Sequence, residues 1–200
     1  IVAVAERAGI RLHIPEDVEG ACCGMPFSSK GFHDAHDDVQ ARLLEKMRRW
    51  SEDGRYPVVI DTSPCAWSLG RDRVMDGIAF AHDVVLPRLT IVRRVGRVAV
   101  HPVCSAVKLG LAPKLVAIAR ACAGEVVAPL AAGCCGFAGD RGFTHPELTD
   151  AATRAEAREI EAAGPCDLYV SSSRTCEIGM GRATGRRWVS FWTLLDEVSR

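Results

Sequence analysis

The feature that most constrains this chain is a pair of adjacent cysteines in a glycine-rich stretch, which occurs twice. The first copy starts at Cys22-Cys23-Gly24 and the second at Cys134-Cys135-Gly136. A further lone cysteine follows each copy, Cys65 after the first and Cys176 after the second, at spacings that differ by a single position. A double cysteine that recurs with a distant partner in register predicts a metal-cluster site that is built twice.

Composition narrows the chemistry of these cysteines. The chain has nine cysteines, an odd number, and residues 1–5 lack the basic flank and long apolar region of a secretory signal, so metal or redox chemistry is favoured over a disulfide framework. The formal net charge is zero and no basic run occurs, which argues against nucleic-acid binding. The apolar stretches are short and interrupted by charges, so no transmembrane segment is predicted.

Alternating strand and helix patterns predict an α/β fold with mainly parallel, short sheets. Predicted strands cover residues 11–15, 56–60, 78–80, 97–101, 125–128, 168–170 and 188–190. Predicted helices cover residues 35–50, 83–89, 113–122, 145–163 and 191–198. Ligands of such folds gather beyond the carboxyl ends of the strands. Cys65, Cys104 and Cys176 are expected on loops at these ends, where polar turns follow the strands.

The same order of elements recurs when the chain is aligned with itself at Cys22 and Cys134, which predicts two pseudo-symmetric repeats, residues 1–95 and residues 96–200. In this alignment the counterpart of Cys104 would fall before Ile1. The first repeat is therefore expected to be truncated and to lack its first cysteine. The second repeat holds a complete quartet, and the first holds a partial set. The candidate metal ligands are Cys104, Cys134, Cys135 and Cys176 in the second repeat and Cys22, Cys23 and Cys65 in the first.

Four thiolates are the usual ligand set of a [4Fe–4S] cluster. Glycine beside the double cysteine lets backbone N–H groups approach the sulfurs, so Gly136 is a candidate cofactor-binding residue. Arg141 and Arg174 are candidates as well, because cations would offset the negative charge of a cluster and its thiolates. Lys108 in the second repeat and Lys30 in the first are expected to act in the same way.

Other interpretations of the cysteines stay open at this point. They are a strained vicinal disulfide, metal-free thiol chemistry, and a zinc site, although the C-x₂₋₄-C pairs typical of structural zinc are absent. Cys122 and Cys166 lie outside the repeat and are expected to be small buried hydrophobic residues.

The remaining titratable residues indicate no acid–base pair. His101 could be a ligand, but its position before Pro102 favours a role in shaping the turn. The glutamates of the long second-repeat helix (Glu156, Glu159 and Glu161) are expected on a solvated face. Neither a G-x-G-x-x-G motif nor a P-loop is present in the sequence.

Four extended motifs resemble those of a known family. They are CCGMPFSSKG at residues 22–31, HPVCS at 101–105, CCGFAGDRGF at 134–143 and SSSRTCEIGM at 171–180. Together they resemble the cysteine-rich CCG domain that occurs in the heterodisulfide reductases and in the iron–sulfur component of glycolate oxidase. They look most like the C-terminal iron–sulfur part of FAD-linked D-lactate (D-2-hydroxyacid) dehydrogenases.

The resemblance implies an electron-transfer role for the chain. It implies that an iron–sulfur cluster carries electrons from FAD in a missing N-terminal part towards a quinone or cytochrome-type acceptor. The implied partners are the FAD domain and a ferredoxin-like domain of the same protein or complex. The implied location is the cytoplasm or the inner face of the membrane. The chain alone is not expected to oxidise a hydroxy acid.

The sequence departs from the family pattern at one point in each repeat. The family pattern ends in C-x-x-C, whereas Thr62 and Ser173 stand at the positions of the first cysteine of that pattern, ahead of Cys65 and Cys176. This favours a four-ligand site over a five-cysteine cluster, or no cluster in the first repeat. The alternative functions are a heterodisulfide-reductase-like thiol/disulfide redox protein and a zinc-stabilised interaction domain.

Overall fold

The fold is built on short parallel strands. The computed structural model describes residues 1–70 and 72–200. Within them six strands form two sheets, and every paired strand runs parallel to its neighbour. The strands are β1 (Val59–Ile60), β2 (Met75–Asp76), β3 (Val95–His101), β4 (Ala123–Val127), β5 (Leu168–Ser171) and β6 (Trp188–Ser190).

Helices connect and cover these strands. The α-helices in the described residues are α1 (Val2–Arg7), α2 (Met25–Ser28), α3 (His33–Trp50), α4 (Ser63–Leu69), α5 (Gly77–Phe80), α6 (Cys104–Lys108), α7 (Ala112–Cys122), α8 (Arg141–Thr144), α9 (Pro146–Ala163), α10 (Arg174–Thr184) and α11 (Phe191–Val198). A π-helical turn (Ala81–Val85) and a 3₁₀ turn (Leu86–Arg88) extend α5. The predicted α/β class with short parallel sheets is confirmed.

The larger sheet belongs to the second half of the chain and has the strand order β4-β3-β5-β6. Successive residues of β3 point to opposite faces. Val98 and Val100 join the core formed with α7 and α11, whereas Ala99 packs in a smaller cluster with Ile160 of α9 and Met180 of α10. Helices therefore cover both faces, as is typical of parallel sheets.

The first half has only the two-stranded sheet of β1 and β2. The strand predicted at residues 11–15 is wrong, because this segment has no regular structure. When the repeats are aligned at Cys22 and Cys134, the segment corresponds to β4, which pairs with β3. Among the described residues no strand pairs with residues 11–15. A strand without a partner lacks its hydrogen-bond ladder.

The strand predicted at residues 78–80 is also wrong. These residues belong to α5, which begins when the Asp76 carboxylate accepts a hydrogen bond from the N–H of Ile78. An aspartate in this position is a favourable helix cap. A short apolar run fits a buried helix as well as a buried strand, so periodicity alone does not separate the two.

The long helices α3 and α9 occupy equivalent positions in the repeat, as the sequence predicted. Both contain 18 residues, and each begins shortly after its double-cysteine loop. α9 has proline at its first position, where no N–H is needed, and ends at Gly164 with φ of 85°. Each of these helices packs against its double-cysteine loop.

The two halves share one hydrophobic core. It includes Leu43 and Ile78 from the first half and Leu115 and Leu195 from the second. Trp192 Nε1 donates a hydrogen bond of 2.6 Å to Asp61 across the junction. The boundary between residues 95 and 96 stays a prediction about the repeat.

The described part of the chain has no helix whose length and apolar character would let it cross a membrane.

Candidate metal centre

The second-half cysteines lie at the carboxyl edge of the larger sheet. β3 ends at His101 and is followed by α6, which begins at Cys104. β5 ends at Ser171, and Cys176 lies in the first turn of α10. The double cysteine lies in the loop that follows β4. Since the carboxyl ends of parallel strands share one edge, three separate segments deliver their cysteines to the same place.

The lone cysteines differ from expectation in one detail. Cys65, Cys104 and Cys176 follow strands, as predicted, but each lies in a helix rather than in a loop. The helix begins at Ser63, Cys104 or Arg174, directly after the post-strand turn.

The four sulfurs of the second half form two thiol pairs. Cys135 Sγ and Cys176 Sγ are 3.0 Å apart, and Cys104 and Cys134 are near enough that each thiol shifts the pKa of the other. All nine cysteines are free thiols, so no vicinal disulfide joins Cys134 to Cys135. The two pairs interact electrostatically, because charge on Cys134 or Cys135 raises the pKa of both Cys104 and Cys176.

Within each pair, the interaction between the two thiols lowers the pKa of one of them. The S–H of Cys104 stabilises the thiolate of Cys134 and lowers its pKa to about 5. In the same way Cys176 lowers the pKa of Cys135 to about 7. The pKa of each donor thiol is raised, first by this hydrogen bond and then by burial. Thiolates are the form that binds metal, so both pairs hold a partly deprotonated ligand at neutral pH.

The glycine after the double cysteine brings the backbone against sulfur. The N–H of Gly136 donates to Cys134 Sγ at 3.4 Å, and the N–H of Phe137 contributes to the lowered pKa of Cys135. Gly136 has a φ of 70°, and a Cβ atom on it would lie 2.5 Å from the carbonyl oxygen of Leu148. Only glycine fits this left-handed conformation so close to α9.

The first-half site repeats this geometry with fewer sulfurs. Cys23 Sγ donates to Cys65 Sγ at 3.2 Å, which lowers the pKa of Cys65 to about 6. The N–H of Gly24 donates to Cys22 Sγ at 3.4 Å. A Cβ atom on Gly24 would lie 2.9 Å from the carbonyl oxygen of His36 in α3. The two cysteine loops therefore have the same local structure as well as the same sequence pattern.

The sulfurs are arranged as hydrogen-bonded thiols and not as a formed ligand cage. Among residues 1–70 and 72–200, no group of three or more His, Cys, Asp or Glu side chains has the arrangement needed to hold a metal ion. A tetrahedral Zn²⁺ site with bonds of about 2.3 Å separates its sulfurs by about 3.8 Å. The Cys135–Cys176 separation of 3.0 Å is shorter. Binding of Zn²⁺ therefore requires proton loss and a small outward movement of these side chains, and a larger cluster requires a larger movement.

The surroundings of the second site fit a bound inorganic group. Several of its buried polar atoms have no hydrogen-bond partner in the described structure: His101 Nε2, Ser105 Oγ, Thr149 Oγ1 and Ser172 Oγ. Buried polar groups are normally paired. Soft thiolate donors suit iron–sulfur clusters and zinc. The residues present therefore fit a thiolate-bound metal centre with polar neighbours.

The basic residues named from the sequence have different surroundings. Lys108 lies close enough to Cys134 to contribute to its lowered pKa, after the thiol hydrogen bond and other neighbours. Arg174 pairs with Glu177 at 2.8 Å, and Arg141 begins α8 on the exposed side of the loop. Lys30 pairs with Asp140 at 2.7 Å and so links the two cysteine loops. Cofactor binding by Gly136, Arg141 and Arg174 stays a prediction.

Glu156 corrects the expectation of a solvated glutamate face. Glu159 and Glu161 are exposed, but Glu156 is 2% exposed and its carboxylate is bonded to the ring of His101. The helical period contained a signal for this position. Thr149, Thr153, Glu156 and Ile160 recur every three or four residues and form the buried stripe of α9.

The two cysteines outside the repeat are not part of either site. Cys122 is fully buried in α7, and burial raises its pKa to about 11. Cys166 is half-buried, and burial also raises its pKa. Both are separate from the thiol pairs, and Cys122 is the small buried residue that the sequence predicted.

Comparison with known proteins agrees with this duplicated geometry. The family model of the CCG cysteine-rich domain matches residues 1–70 and 98–181, one segment around each double-cysteine loop. The chain belongs to the CCG cysteine-rich domain family. No curated protein matches it. Membership of the CCG family indicates a metal-binding or redox-related role, and the paired thiols described above are the groups in this chain that suit such a role.

Proposed function

We propose that this CCG protein is the iron–sulfur electron-transfer part of an FAD-linked D-2-hydroxyacid dehydrogenase of the D-lactate type. The observation that carries the proposal is the convergence of Cys104, Cys134, Cys135 and Cys176 from three segments on one edge of the sheet. The four extended motifs around these cysteines and their counterparts support the choice of dehydrogenase. In this proposal FAD and a ferredoxin-like domain belong to other parts of the same protein or complex, and a quinone or cytochrome-type molecule accepts the electrons.

The second-half quartet would hold the cluster, which supplies one-electron redox chemistry when bound. The backbone N–H groups of Gly136 and Phe137 would donate hydrogen bonds to the ligand sulfurs and stabilise their negative charge. Lys108 contributes positive charge near Cys134. Cys135 and Cys176 are buried, so water is largely excluded from that side. Cys22, Cys23 and Cys65 would form a second, less complete site.

A heterodisulfide-reductase-like thiol/disulfide function is a second candidate, favoured by a specific feature of Cys134. This residue is exposed, and its pKa is lowered to about 5 by the hydrogen bond from Cys104. An accessible thiolate beside a metal centre is the group that would meet a sulfur-containing substrate. A substrate disulfide that changes the spectrum of the loaded protein would favour this function over electron relay.

Metal analysis and EPR spectroscopy on anaerobically purified or reconstituted protein test the proposal. The expected result is iron and acid-labile sulfide with a cluster signal, and loss of the second-half signal in Cys135→Ser. Cys166→Ser is the matched control, because Cys166 lies outside both thiol groups, and it should retain full iron content. Zinc without iron or sulfide would contradict the proposal and favour a zinc-stabilised interaction domain. An unchanged spectrum in Cys135→Ser would show that this residue is not a ligand.

A further inference from the structure

A buried, hydrogen-bonded histidine–glutamate pair lies next to the second cysteine site. His101, the last residue of β3, is fully buried, and Glu156 of α9 is 2% exposed. His101 Nδ1 is 2.8 Å and 3.0 Å from the two carboxylate oxygens of Glu156. A buried carboxylate is costly unless a donor or a positive charge compensates it. The ring N–H of His101 donates to Glu156 and provides this compensation.

The pair holds the imidazole ring in one orientation. Trp188 packs against the ring in a T-shaped arrangement, with ring centroids 6.3 Å apart and an interplanar angle of 90°. The backbone of His101 is fixed as well, since it is in register with Ser171 of β5 and accepts a hydrogen bond from the Ser171 hydroxyl. Nε2 is the other polar atom of the ring. It is buried and has no hydrogen-bond partner in the described structure.

His101, which carries the unpartnered nitrogen, lies near the cysteine quartet. His101 ends β3 at the carboxyl edge of the sheet, just ahead of Cys104 at the start of α6. The thiol hydrogen bonds act most strongly on Cys134 and Cys135, but positive charge on His101 also lowers the pKa of both thiols. Metal sites commonly contain a histidine whose second nitrogen is bonded to a carboxylate, which fixes the orientation of the ring. His101 and Glu156 have this arrangement.

The carboxylate of the pair has no counterpart on the other long helix. In the alignment of the repeats at Cys22 and Cys134, Glu156 corresponds to Leu44. The first cysteine site therefore has no equivalent carboxylate on its long helix. This difference adds to the difference in the number of sulfurs between the two sites.

We propose that His101 is a positioning residue of the second site, where Nε2–H, held by Glu156, donates a hydrogen bond to a sulfur of the bound metal centre. This inference rests on the proposed electron-transfer function. Hydrogen bonds to sulfur stabilise the more negative, reduced form of a cluster and so raise its reduction potential. The hydrogen bond from His101 would therefore raise the reduction potential of the second centre.

Two substitutions separate this role from a structural one. In His101→Asn the side-chain amide takes the place of Nδ1 and keeps a donor to Glu156, but no donor remains at the position of Nε2. In Glu156→Gln the amide oxygen still accepts from Nδ1–H, while the negative charge beside the ring is lost. Thr153→Val is the matched control. Thr153 is buried on the same face of α9 and bonds only to the carbonyl of Thr149.

The measurement is an EPR-monitored redox titration of the chain reconstituted with iron and sulfide, with Cys23→Ser in every variant to remove a ligand from the first site. We expect His101→Asn and Glu156→Gln to bind the cluster and to lower its reduction potential. The expected change in the ratio of reduced to oxidised cluster is about tenfold at a fixed potential, about 59 mV for a one-electron couple. Thr153→Val should leave the potential unchanged.

The outcomes distinguish the inference from the function on which it rests. Without any cluster in the parent protein, the proposed function and the inference both fail. A cluster whose potential is the same in parent, His101→Asn and Glu156→Gln overturns the role of His101 and leaves the electron-transfer function standing. If His101→Asn does not fold, which thermal melting of the metal-free protein reports, Glu156→Gln alone decides.

Discussion

Cys134 is both accessible to solvent and more acidic than an ordinary thiol. It is exposed to solvent, and its pKa is lowered to about 5 because Cys104 donates an S–H hydrogen bond and backbone and basic neighbours add further stabilisation. Exposed thiols react readily once deprotonated, because the thiolate is the nucleophile. Each thiol pair thus contains a thiolate that can bind metal. In metal-free protein the sulfur of Cys134 is also accessible to reagents.

We expect Cys134 to be alkylated by iodoacetamide faster than Cys166 in metal-free protein at pH 7. A lowered pKa means that the thiolate predominates above about pH 5, so the rate should fall about tenfold per pH unit below that value. Mass spectrometry of the labelled peptides measures both rates. Cys104→Ala removes the donor and should slow labelling of Cys134 at pH 7. Equal rates for Cys134 and Cys166 would contradict the described thiol pairing.

At the scale of elements, each double-cysteine loop is shaped by the long helix that follows it. Gly136 lies against α9 and Gly24 against α3, and both glycines have positive φ. In this conformation the N–H groups of the two glycines donate to the sulfurs of Cys22 and Cys134. The geometry of the thiol groups therefore depends on helices whose own sequences contain no cysteine.

Gly136→Ala tests this dependence. A Cβ atom would meet the Leu148 carbonyl at 2.5 Å and the Ala152 methyl at 2.9 Å, in a backbone conformation that disfavours side chains. We expect the free energy of unfolding to fall by about 2–3 kcal/mol, with weaker metal binding by the second site. Gly139→Ala is the control, since its φ is also positive but nothing lies within 4 Å. It should cost only about 1 kcal/mol. Urea titration measures both, and equal losses would mean that contact with α9 is unimportant.

At the scale of the whole molecule, the two halves are held together by a common core. Trp192 of α11 is 4% exposed, packs against Phe80 at a ring distance of 6.3 Å and donates to Asp61 of the first half. The exposed Lys30–Asp140 ion pair also joins the halves. A surface ion pair contributes little beside a buried tryptophan.

Trp192→Ala should lower the free energy of unfolding by about 3–5 kcal/mol, because it opens a cavity between the halves and removes the bond to Asp61. Lys30→Ala should change it by less than about 1 kcal/mol. Because the core is shared, we expect a single unfolding transition by both circular dichroism and tryptophan fluorescence. Two separated transitions in the unsubstituted protein would show that the halves fold independently.

The α/β class, the repeated cysteine pattern and membership of the CCG family follow from the amino-acid sequence, because they depend on local periodicity and on spacing along the chain. The long helices α3 and α9 were predicted within a few residues, since an apolar stripe and terminal glycine or proline signals are local. Residues 11–15 and 78–80 were predicted wrongly, because strand formation needs a partner elsewhere and a short apolar run does not identify one. The metal ligands, the cluster and the boundary between the two repeats stay predictions.

Which thiols pair, and what surrounds them, depends on the packing of the folded chain. The sequence does not reveal that Cys135 meets Cys176 and Cys134 meets Cys104, because these contacts depend on how β3, β4 and β5 are ordered in the sheet. The same is true of His101 and Glu156, which are far apart in the chain and meet when α9 packs on the face of β3. A lone glutamate in a helix is normally solvated, and burial against a histidine from another element is a property of the packed fold.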